Sequence, residues 1–469
     1  MAEVYTLFRK TKIKLCFSKN ELVVYSYPKL SKQNNMTKKL IMPVALFLCS
    51  VIYAQEKPVA FKGALIYPIN GAPIQNGTFI VQNGKIVAVG DASLKIPADA
   101  IISDAKGKVI MPGIVDTHSH LGGPEGGDNS AALNPDTRAF DAINPTSDGF
   151  KKALSGGLTT LNIMPGSGHL MSGQTVYAKM REAKVMEDLI IVNEKGVYGG
   201  MKMANGTNPM RGTNGFPGTR AKSAAMDREL FVKAQEYKTK IDKAIKDSTK
   251  LPERDLRLEP LVEVLQGKRV VHFHTHKEND ILTAIRIIKE FGIRAVLHHV
   301  SEGWKVPEEI AKAGVPCSII VIESPGGKLE TIDYSTTNGA ALSNAGVLTG
   351  FHTDDGVTDS RFLIRAAAMS VKAGMSKEKA LEALTINGAK MLDLSSRIGS
   401  LEKGKDADFI ILSGDPFSVY TKVEQTWVEG KKRYDIKNPE DKAFLVGGYK
   451  VYSSDRAEYM NHDDEISNQ

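Results

Sequence analysis

The histidines of this chain are concentrated at the ends of short apolar segments. Seven of the ten lie at or just beyond the carboxyl end of a predicted buried strand, in VIMPGIVDTHSH, RVVHFHTH and IRAVLHHV, and His352 stands beside Asp354 and Asp355 in GVLTGFHTDD. Helical stretches such as DILTAIRIIKEFG lie between these strands. This alternation predicts parallel βα units, and a closed (β/α)8 TIM-like barrel, in which all such strand ends meet at one mouth, suits the length.

The segments on either side of this region have a different pattern. GTFIVQNGKIVAVG places two apolar runs around Asn83-Gly84, which is a strong hairpin signal, and GSLEKGKDADFIILSGDP near the other end again combines short strands with glycine turns. We therefore predict an α/β protein with a barrel at 113–396. A small discontinuous β-sandwich domain is predicted from 55–112 and 397–437, and residues 438–469 are predicted to form a polar C-terminal tail.

Residues 200–268 interrupt the alternation of strands and helices. A segment rich in Gly, Asn and Pro is followed there by a long helical pattern, MDRELFVKAQEYKTKIDKAI. We predict an insertion after a barrel strand. It either covers the site or is a surface excursion without function, and the sequence leaves both alternatives open.

The amino-terminal segment accounts for the whole net charge of +7, because residues 1–54 contain nine Lys/Arg and two acidic residues. The remainder is formally neutral, so composition gives no sign of nucleic-acid binding. A basic pair followed by an apolar run at residues 40–52 predicts a signal peptide that starts near Met36, with 1–35 as an upstream extension. The alternatives are a membrane anchor or a buried strand. Cleavage after Ala54 would give a periplasmic or secreted protein without membrane contact, whose single cysteine, Cys317, excludes an intrachain disulfide.

The segment DTHSH is the sharpest indication of a metal site. Residues two apart in a strand point the same way, so His118 and His120 can hold one ion together. Alone, such a pair is only moderately specific, because solvated histidine pairs occur by chance. Imidazoles and carboxylates from three further strand ends strengthen the prediction, and this ligand set suits zinc or a similar divalent ion.

Several of these segments resemble the amidohydrolase superfamily. GKVIMPGIVDTHSHL is similar to its first barrel strand, and VHFHTH, AVLHHVSEG and FHTDD are similar to its fifth, sixth and eighth strands. LTINGAKMLDLSSRIGSLEKGKDADFIILSGDP resembles the return into its small β-domain. The likeness runs from about residue 59 to 437 and is greatest to the imidazolonepropionase-like and Xaa-Pro dipeptidase-like branch. It implies a barrel enzyme that uses a divalent metal.

The resemblance implies a ligand at each matching strand end. The implied metal ligands are His118, His120, His274, His299 and Asp354. His272 and His276 are alternatives to His274 on the same face of the fifth strand. His298 is expected to point the opposite way and to be packed if its strand is regular, and Asp355 is expected to point away as well.

Two-metal members of the superfamily also use a bridging ligand, either a carbamylated lysine or a glutamate. Lys202 in YGGMKMANG is the candidate, because a lysine inside an apolar strand-like segment needs a reason to be buried. Glu194 is the rival, and the plain alternative is that Lys202 reaches solvent. The number of ions, one or two per chain, stays open.

The resemblance also implies roles in catalysis. Asp354 is expected to take the proton of the attacking water and pass it to the leaving nitrogen, and His276, if it is not a ligand, is expected to stabilise the oxyanion. Substrate contacts are expected from His169 in a Gly-rich loop, from Arg211 and Arg220 in the insertion, and from SPGGKLE at 324–330. A flexible loop or an ordinary surface arginine is the plain alternative for each.

Together these expectations describe a metal-dependent hydrolase of carbon–nitrogen bonds with a small-molecule substrate. The resemblance slightly favours a dipeptidase, and a cyclic-amide or imidazolone hydrolase is the alternative. A non-catalytic scaffold of the same fold is the alternative from another class, although every candidate ligand strand is retained. The resemblance is also compatible with a homo-oligomer.

Overall fold

The computed structural model describes residues 14–18, 21–25, 56–124, 126–213, 215–321 and 328–447 of the 469. The predicted signal peptide and residues 448–469 of the tail lie outside the described residues. The chain divides into two compact units, Met1–Gln55 and Glu56–Gln469. The described part of the first is an antiparallel pair of strands, β1 (Lys14–Ser18) and β2 (Glu21–Tyr25). Over the described residues, no helix combines the length and apolar character that crossing a membrane requires.

The second unit contains all of the remaining elements. Its strands are β3 (Val59–Ile66), β4 (Ile74–Gln82), β5 (Lys85–Gly90), β6 (Ile101–Asp104), β7 (Val109–Pro112), β8 (Ile114–Ser119), β9 (Leu158–Ile163), β10 (Met171–Gln174), β11 (Val176–Lys179), β12 (Met201–Ala204), β13 (Val271–Thr275), β14 (Ala295–His299), β15 (Cys317–Ile319), β16 (Thr349–Phe351), β17 (Phe409–Leu412), β18 (Val423–Val428) and β19 (Lys431–Asp435). Its α-helices are α1 (Asp148–Ser155), α2 (Met186–Leu189), α3 (Arg220–Lys246), α4 (Glu259–Leu265), α5 (Glu278–Phe291), α6 (Pro307–Ala313), α7 (Asn338–Asn344), α8 (Leu363–Lys372), α9 (Lys377–Leu384), α10 (Ile386–Met391) and α11 (Pro439–Val446). Short 3₁₀ helices lie at Ala139–Asp141, Gly303–Lys305, Leu329–Thr331 and Ser360–Phe362.

Strands from both ends of the second unit form one eight-stranded sheet. Its order is β19-β18-β17-β7-β3-β4-β5, with β6 parallel to β3. Antiparallel pairing of β17 with β7 joins the two ends of the chain. The rings of Phe61, Phe79, Phe409 and Trp427 pack on one side of this sheet, with centroids 4.9–6.2 Å apart.

The central part of the chain has a mixed α/β fold with parallel strands. Strands β12, β13, β14, β15 and β16 are consecutive parallel neighbours, and β8 is parallel to β9. Strands β10 and β11 depart from this pattern, because each pairs antiparallel with a neighbour. All residues of β8, β9, β13 and β14 are buried, as expected of strands covered on both faces.

Helices cover these strands, and local sequence explains where several of them begin and end. The side chain of Ser147 accepts a hydrogen bond from Gly149 N at the start of α1, and Thr219 accepts one from Lys222 N at the start of α3. Helix α5 ends at Gly292, whose φ of 62° lies in the left-handed region. Its apolar residues recur at helical spacing and are buried, including Ile281, Ala284 and Ile288.

The predicted insertion begins later than its boundary at residue 200. Residues 201–204 form β12 and pair in parallel with β13, so they belong to the sheet. The predicted long helix is present as α3, and its buried residues Leu230, Phe231 and Ala234 belong to the main apolar core.

A buried ion cluster holds β11 to the region before β17. The side chain of Lys179 is fully buried, and its Nζ lies 2.9 Å from Asp408 Oδ2 and also contacts Asp406. Glu429 Oε1 lies 3.4 Å from the same nitrogen. Because three carboxylates surround this ammonium group, its charge is compensated inside the protein.

Candidate metal centre

Three side chains from the ends of β8 and β16 converge on one point. The Nε2 atoms of His118 and His120 lie 3.2 Å apart, as alternation along β8 requires. Asp354 Oδ1 lies 2.9 Å from His120 Nε2 and 3.3 Å from His118 Nε2. The backbone holds this arrangement, because Asp354 N donates to His118 O at 2.9 Å and Asp354 adopts a left-handed φ of 49°. We call His118, His120 and Asp354 the first group, and they could hold one metal ion.

The charge state of Asp354 suits a ligand. Burial alone would raise the pKa of its carboxyl, but the hydrogen bond from His120 and the charges of neighbouring groups, including Lys202, hold the pKa below its ordinary value. Burial and the positive charge of Lys202 lower the pKa of His118, so its imidazole is neutral. A carboxylate and neutral imidazoles are the forms that bind divalent metals.

A second group of histidines lies at the ends of β13 and β14. One ring nitrogen from each of His274, His276 and His299 lies within 4.8 Å of the others, and the ring centroids are 4.4–4.8 Å apart. Neither ring nitrogen of His274, nor Nε2 of His276 or His299, has a hydrogen-bond partner among the described residues. Buried polar atoms without partners destabilise a fold, and a shared metal ion would give a partner to one ring nitrogen of each histidine that binds it, so the residues fit such an ion.

Lys202 lies next to the first group. It is fully buried on β12, and its Nζ is 3.2 Å from His118 Nε2 and 3.2 Å from Met164 Sδ. In the part of the chain that the structure describes, no carboxylate lies within ion-pair distance of it. Burial lowers the pKa of this amine to about 7. Glu194, its predicted rival, is exposed and accepts a hydrogen bond from Ser396 N at 3.1 Å, so it lies outside the cluster.

His298 is packed as predicted, but it does not point the opposite way, which was expected of a regular strand. Its Nε2 lies 3.0 Å from His272 Nδ1, and its ring centroid is 5.1 Å from that of His118, so it lies in the same interior as His299. The physical reason is backbone geometry: His299 and Val300 have φ of 69° and 49°, which breaks the regular alternation of β14. Asp355 does point away, and it pairs with Lys152 Nζ at 3.0 Å.

Asp116 is a buried residue of the site that sequence reasoning missed. Its Oδ1 accepts from His118 N and Thr353 N, both at 3.1 Å, and therefore ties β8 to the residue before Asp354. Burial raises the pKa of this carboxyl to about 7 despite these hydrogen bonds. A carboxylate two residues before His118 in an otherwise apolar strand was the signal in the sequence.

Two of the three predicted substrate contacts, His169 and Arg211, lie at the same Phe216 ring, and Arg220 has other partners. His169 is buried, with its ring centroid 5.3 Å from that of Phe216, and the guanidinium carbon of Arg211 lies 4.2 Å from the centroid of the same Phe216 ring. Arg220 is committed elsewhere: its Nε donates to Asp280 at 2.9 Å, and its Nη2 lies 3.3 Å from Glu330. These two protein carboxylates compete with a substrate for Arg220, and its role in binding a substrate carboxylate stays a prediction.

Lys328 is a second residue that sequence reasoning did not single out. It belongs to segment 324–330, which was predicted to contact substrate, and residues 324–327 of that segment lie outside the described residues. Burial lowers the pKa values of Lys202, His274 and His276, and the positive charge of Lys328 lowers them further. Its Nζ donates to Asn208 Oδ1 at 3.0 Å. Lys328 is exposed and therefore brings a solvent-accessible cation within electrostatic reach of Lys202 and of the second group.

Comparison with known proteins identifies the family to which a chain with this cluster belongs. The model of the amidohydrolase family matches residues 109–439, which include both groups of candidate ligands and Lys202. The chain belongs to the amidohydrolase family. It is accordingly a hydrolase that acts on carbon–nitrogen bonds, and the resemblance inferred from the strand-end motifs is confirmed. Members of this family generally bind divalent metals, and the two groups could each hold one.

Individual relatives agree with this assignment. The crystal structure of an amidohydrolase from Thermotoga maritima matches with a TM-score of 0.76 and 34% identity, over 80% of this chain and 100% of that chain. An imidazolonepropionase from Alkaliphilus metalliredigens is 24% identical over 382 residues, 72% of this chain and 84% of the relative. Amidohydrolase tasK from Hapsidospora irregularis is 26% identical over 427 residues, 81% of this chain, but the match spans only 43% of that longer protein.

Proposed function

We propose that this protein is a binuclear metal hydrolase that cleaves an amide bond in a small anionic substrate. In this proposal His118, His120 and Asp354 hold one ion, and His274 and His299 hold the other. The observation that carries the proposal is the convergence of two groups of side chains, one buried and one partly buried, whose nitrogen and oxygen atoms lie within 4.8 Å of one another in each group and come from four strand ends. Nitrogen-rich ligand sets of this kind favour zinc.

Lys202 is the proposed bridge, as a carbamate. Its buried Nζ, 3.2 Å from His118 Nε2, lacks a carboxylate partner within the described residues. The neutral amine attacks the carbon of CO2, an N–C bond forms, and one proton is lost to leave an anionic carbamate. That carbamate would supply two oxygen ligands, and its negative charge would help to balance the charge of two divalent ions.

We further propose that the parallel strands close into the (β/α)8 barrel expected from the sequence. Strands β12 to β16 and the pair β8 and β9 supply consecutive parallel segments. The hydrogen bond from Asp354 N to His118 O and those from Thr353 to Asp116 support closure between the ends of β16 and β8. Closure brings both groups to one mouth.

When bound, the divalent ions would lower the pKa of water and polarise the substrate carbonyl. Asp354 lies where it can accept the proton of the attacking water and return it to the leaving nitrogen. His276 Nδ1 lies 2.8 Å from Ser301 Oγ. If the hydroxyl donates to Nδ1, Nε2 carries the proton and can donate to the developing oxyanion.

Lys328 supports an anionic substrate. Its exposed ammonium group lies within electrostatic reach of Lys202, His274 and His276, where a substrate carboxylate can pair with it. A dipeptide with a free carboxylate meets this requirement and is the leading candidate. A cyclic amide that bears a carboxylate is the second, and the similarity to imidazolonepropionase favours it.

Cellular location is also a proposal. The basic and apolar pattern at residues 36–54 favours export to the periplasm or the medium. Amino-terminal sequencing of the protein recovered from cells tests this, and a chain that begins at Gln55 is expected. A chain that still begins upstream of residue 36 would contradict export by this signal.

A substrate screen with matched variants tests the activity. Zinc-loaded protein is incubated with dipeptides, N-acyl amino acids and carboxylate-bearing cyclic amides, and the released amine or acid is measured. Asp354→Asn is expected to abolish turnover, whereas Glu194→Gln, a change at the exposed rival carboxylate, is expected to retain it. Fully metal-loaded protein that hydrolyses none of these classes, or an Asp354→Asn variant with wild-type turnover, would contradict the proposal.

A further inference from the structure

A continuous line of hydrogen bonds runs behind the second group. His299 Nδ1 lies 3.2 Å from His352 Nε2, and His352 Nδ1 lies 2.8 Å from Ser318 Oγ. Ser318 Oγ lies 2.5 Å from Thr117 Oγ1, which donates to the carbonyl of Phe351 at 3.5 Å. All four side chains are at least 98% buried, so bulk water does not compete for these contacts. We call His299, His352, Ser318 and Thr117 the relay.

The relay can in principle point in two directions. In the forward direction His299 Nδ1 donates to His352 Nε2, His352 Nδ1 donates to Ser318, Ser318 donates to Thr117, and Thr117 donates to the Phe351 carbonyl. Every donor then has an acceptor. In the reverse direction the proton of His299 is on Nε2, which has no acceptor among the described residues.

The forward direction is the more stable one, because its terminus is a carbonyl oxygen, which can only accept. Reversal would lose the hydrogen bond to Phe351 and would bury an N–H group of His299 without a partner, at a cost of about 1–3 kcal/mol. In the forward direction His299 Nε2 is unprotonated, with its lone pair free.

We propose that Thr117, Ser318 and His352 are positioning residues that hold His299 in the tautomer able to bind a metal through Nε2. This inference rests on the proposed function, because it assigns a purpose to the free lone pair of His299. Ligating histidines commonly donate their second N–H to a carboxylate or backbone carbonyl. Here three intervening side chains connect the ligand to the carbonyl, and two of them carry hydroxyl groups that can be removed individually.

Zinc affinity of the apoprotein tests the inference without reference to activity. Wild type, Thr117→Val, Thr117→Ser and Ser318→Ala are stripped of metal and titrated with Zn²⁺ against a competing chelator. Thr117→Val and Ser318→Ala are expected to weaken binding of the second ion about 10–100-fold, which is the usual effect of losing a hydrogen-bond partner of a metal ligand. The first ion, held by His118, His120 and Asp354, is expected to keep its affinity.

Thr117→Ser is the matched control, because it retains the hydroxyl group and should restore wild-type affinity for both ions. Thermal unfolding of each apoprotein identifies a variant that fails to fold, and Thr117→Ser and Ser318→Ala change little volume. If wild type binds two ions, and Thr117→Val and Ser318→Ala bind the second ion with an affinity within twofold of wild type, the role of the relay is overturned. The proposed function would then remain intact. Wild type that never takes up a second ion would overturn both.

Discussion

Replacing Lys202 by methionine should stabilise the metal-free protein while removing its second metal. The amine is fully buried, and burial lowers its pKa from the ordinary 10.5 to about 7. Between these two values the unfolded chain binds more protons than the folded one, so the stability of the apoprotein rises with pH across this window. Below pH 7 the penalty for the buried charge is fully present.

The size of the effect follows from the same pKa values. At about 1.4 kcal/mol per pH unit, the limiting penalty at low pH is on the order of 5 kcal/mol. It is about 4 kcal/mol at pH 7 and about 2 kcal/mol at pH 9, because the unfolded chain holds more protons than the folded one throughout this window and the stability of the apoprotein therefore rises with pH. Methionine has a similar volume and no charge, so Lys202→Met should recover these amounts.

Urea unfolding of chelator-treated, bicarbonate-free protein at pH 7 and pH 9 measures both values. Lys179→Met is the control, because Lys179 is equally buried but has Asp408 at 2.9 Å, so its loss should destabilise the fold by about 3–5 kcal/mol. The reasoning would be refuted if Lys202→Met were destabilised like Lys179→Met. It would also be refuted if the free energy of unfolding of Lys202→Met increased equally at both pH values.

Three further changes test other parts of the account. Burial raises the pKa of Asp227 well above its ordinary value, so the stability of the wild type should fall as pH rises above about 4. Asp227→Asn should therefore be more stable than wild type at pH 7 but not at pH 4. Equal urea unfolding curves for the two proteins at pH 7 would contradict this. Lys328→Met should raise KM about tenfold for a carboxylate substrate and leave KM unchanged for its carboxamide analogue; an equal effect on both substrates would exclude the proposed charge pair. His276→Asn should lower kcat about 10²–10³-fold with unchanged zinc content, and wild-type turnover would remove its oxyanion role.

The strand-end histidines could be predicted because two simple periodicities coincide in the sequence. Apolar strands followed by helical segments place the strand ends on one side, and alternation in β8 puts His118 and His120 together. The glycine-rich loop at 164–175 was harder to interpret. It contains β10, a short strand whose register is irregular between Met171 and Gly173, and such a strand leaves little periodic signal.

Irregular backbone geometry and contacts between distant residues explain which features of the site could not be predicted from the sequence. His298 joins the interior because His299 and Val300 adopt left-handed φ, which no sequence period encodes. Arg220 contacts Asp280 and Glu330, which lie 60 and 110 residues away in the sequence, and neither contact could be predicted from local pattern. Distant pairings of this kind depend on the assembled fold rather than on local pattern.

Metal stoichiometry tests the central claim most directly. Residues 55–469 are expressed with added zinc and bicarbonate, and zinc per chain is measured by elemental mass spectrometry, with native mass spectrometry to detect the mass of one added CO2. We expect about two ions per chain and one carbamate in the wild type, and we expect Lys202→Met to lose the carbamate together with the second ion and to keep at most the ion of the first group. One ion without a carbamate in the wild type would contradict the bridged binuclear centre, and the absence of any bound metal would contradict the proposed mechanism as a whole.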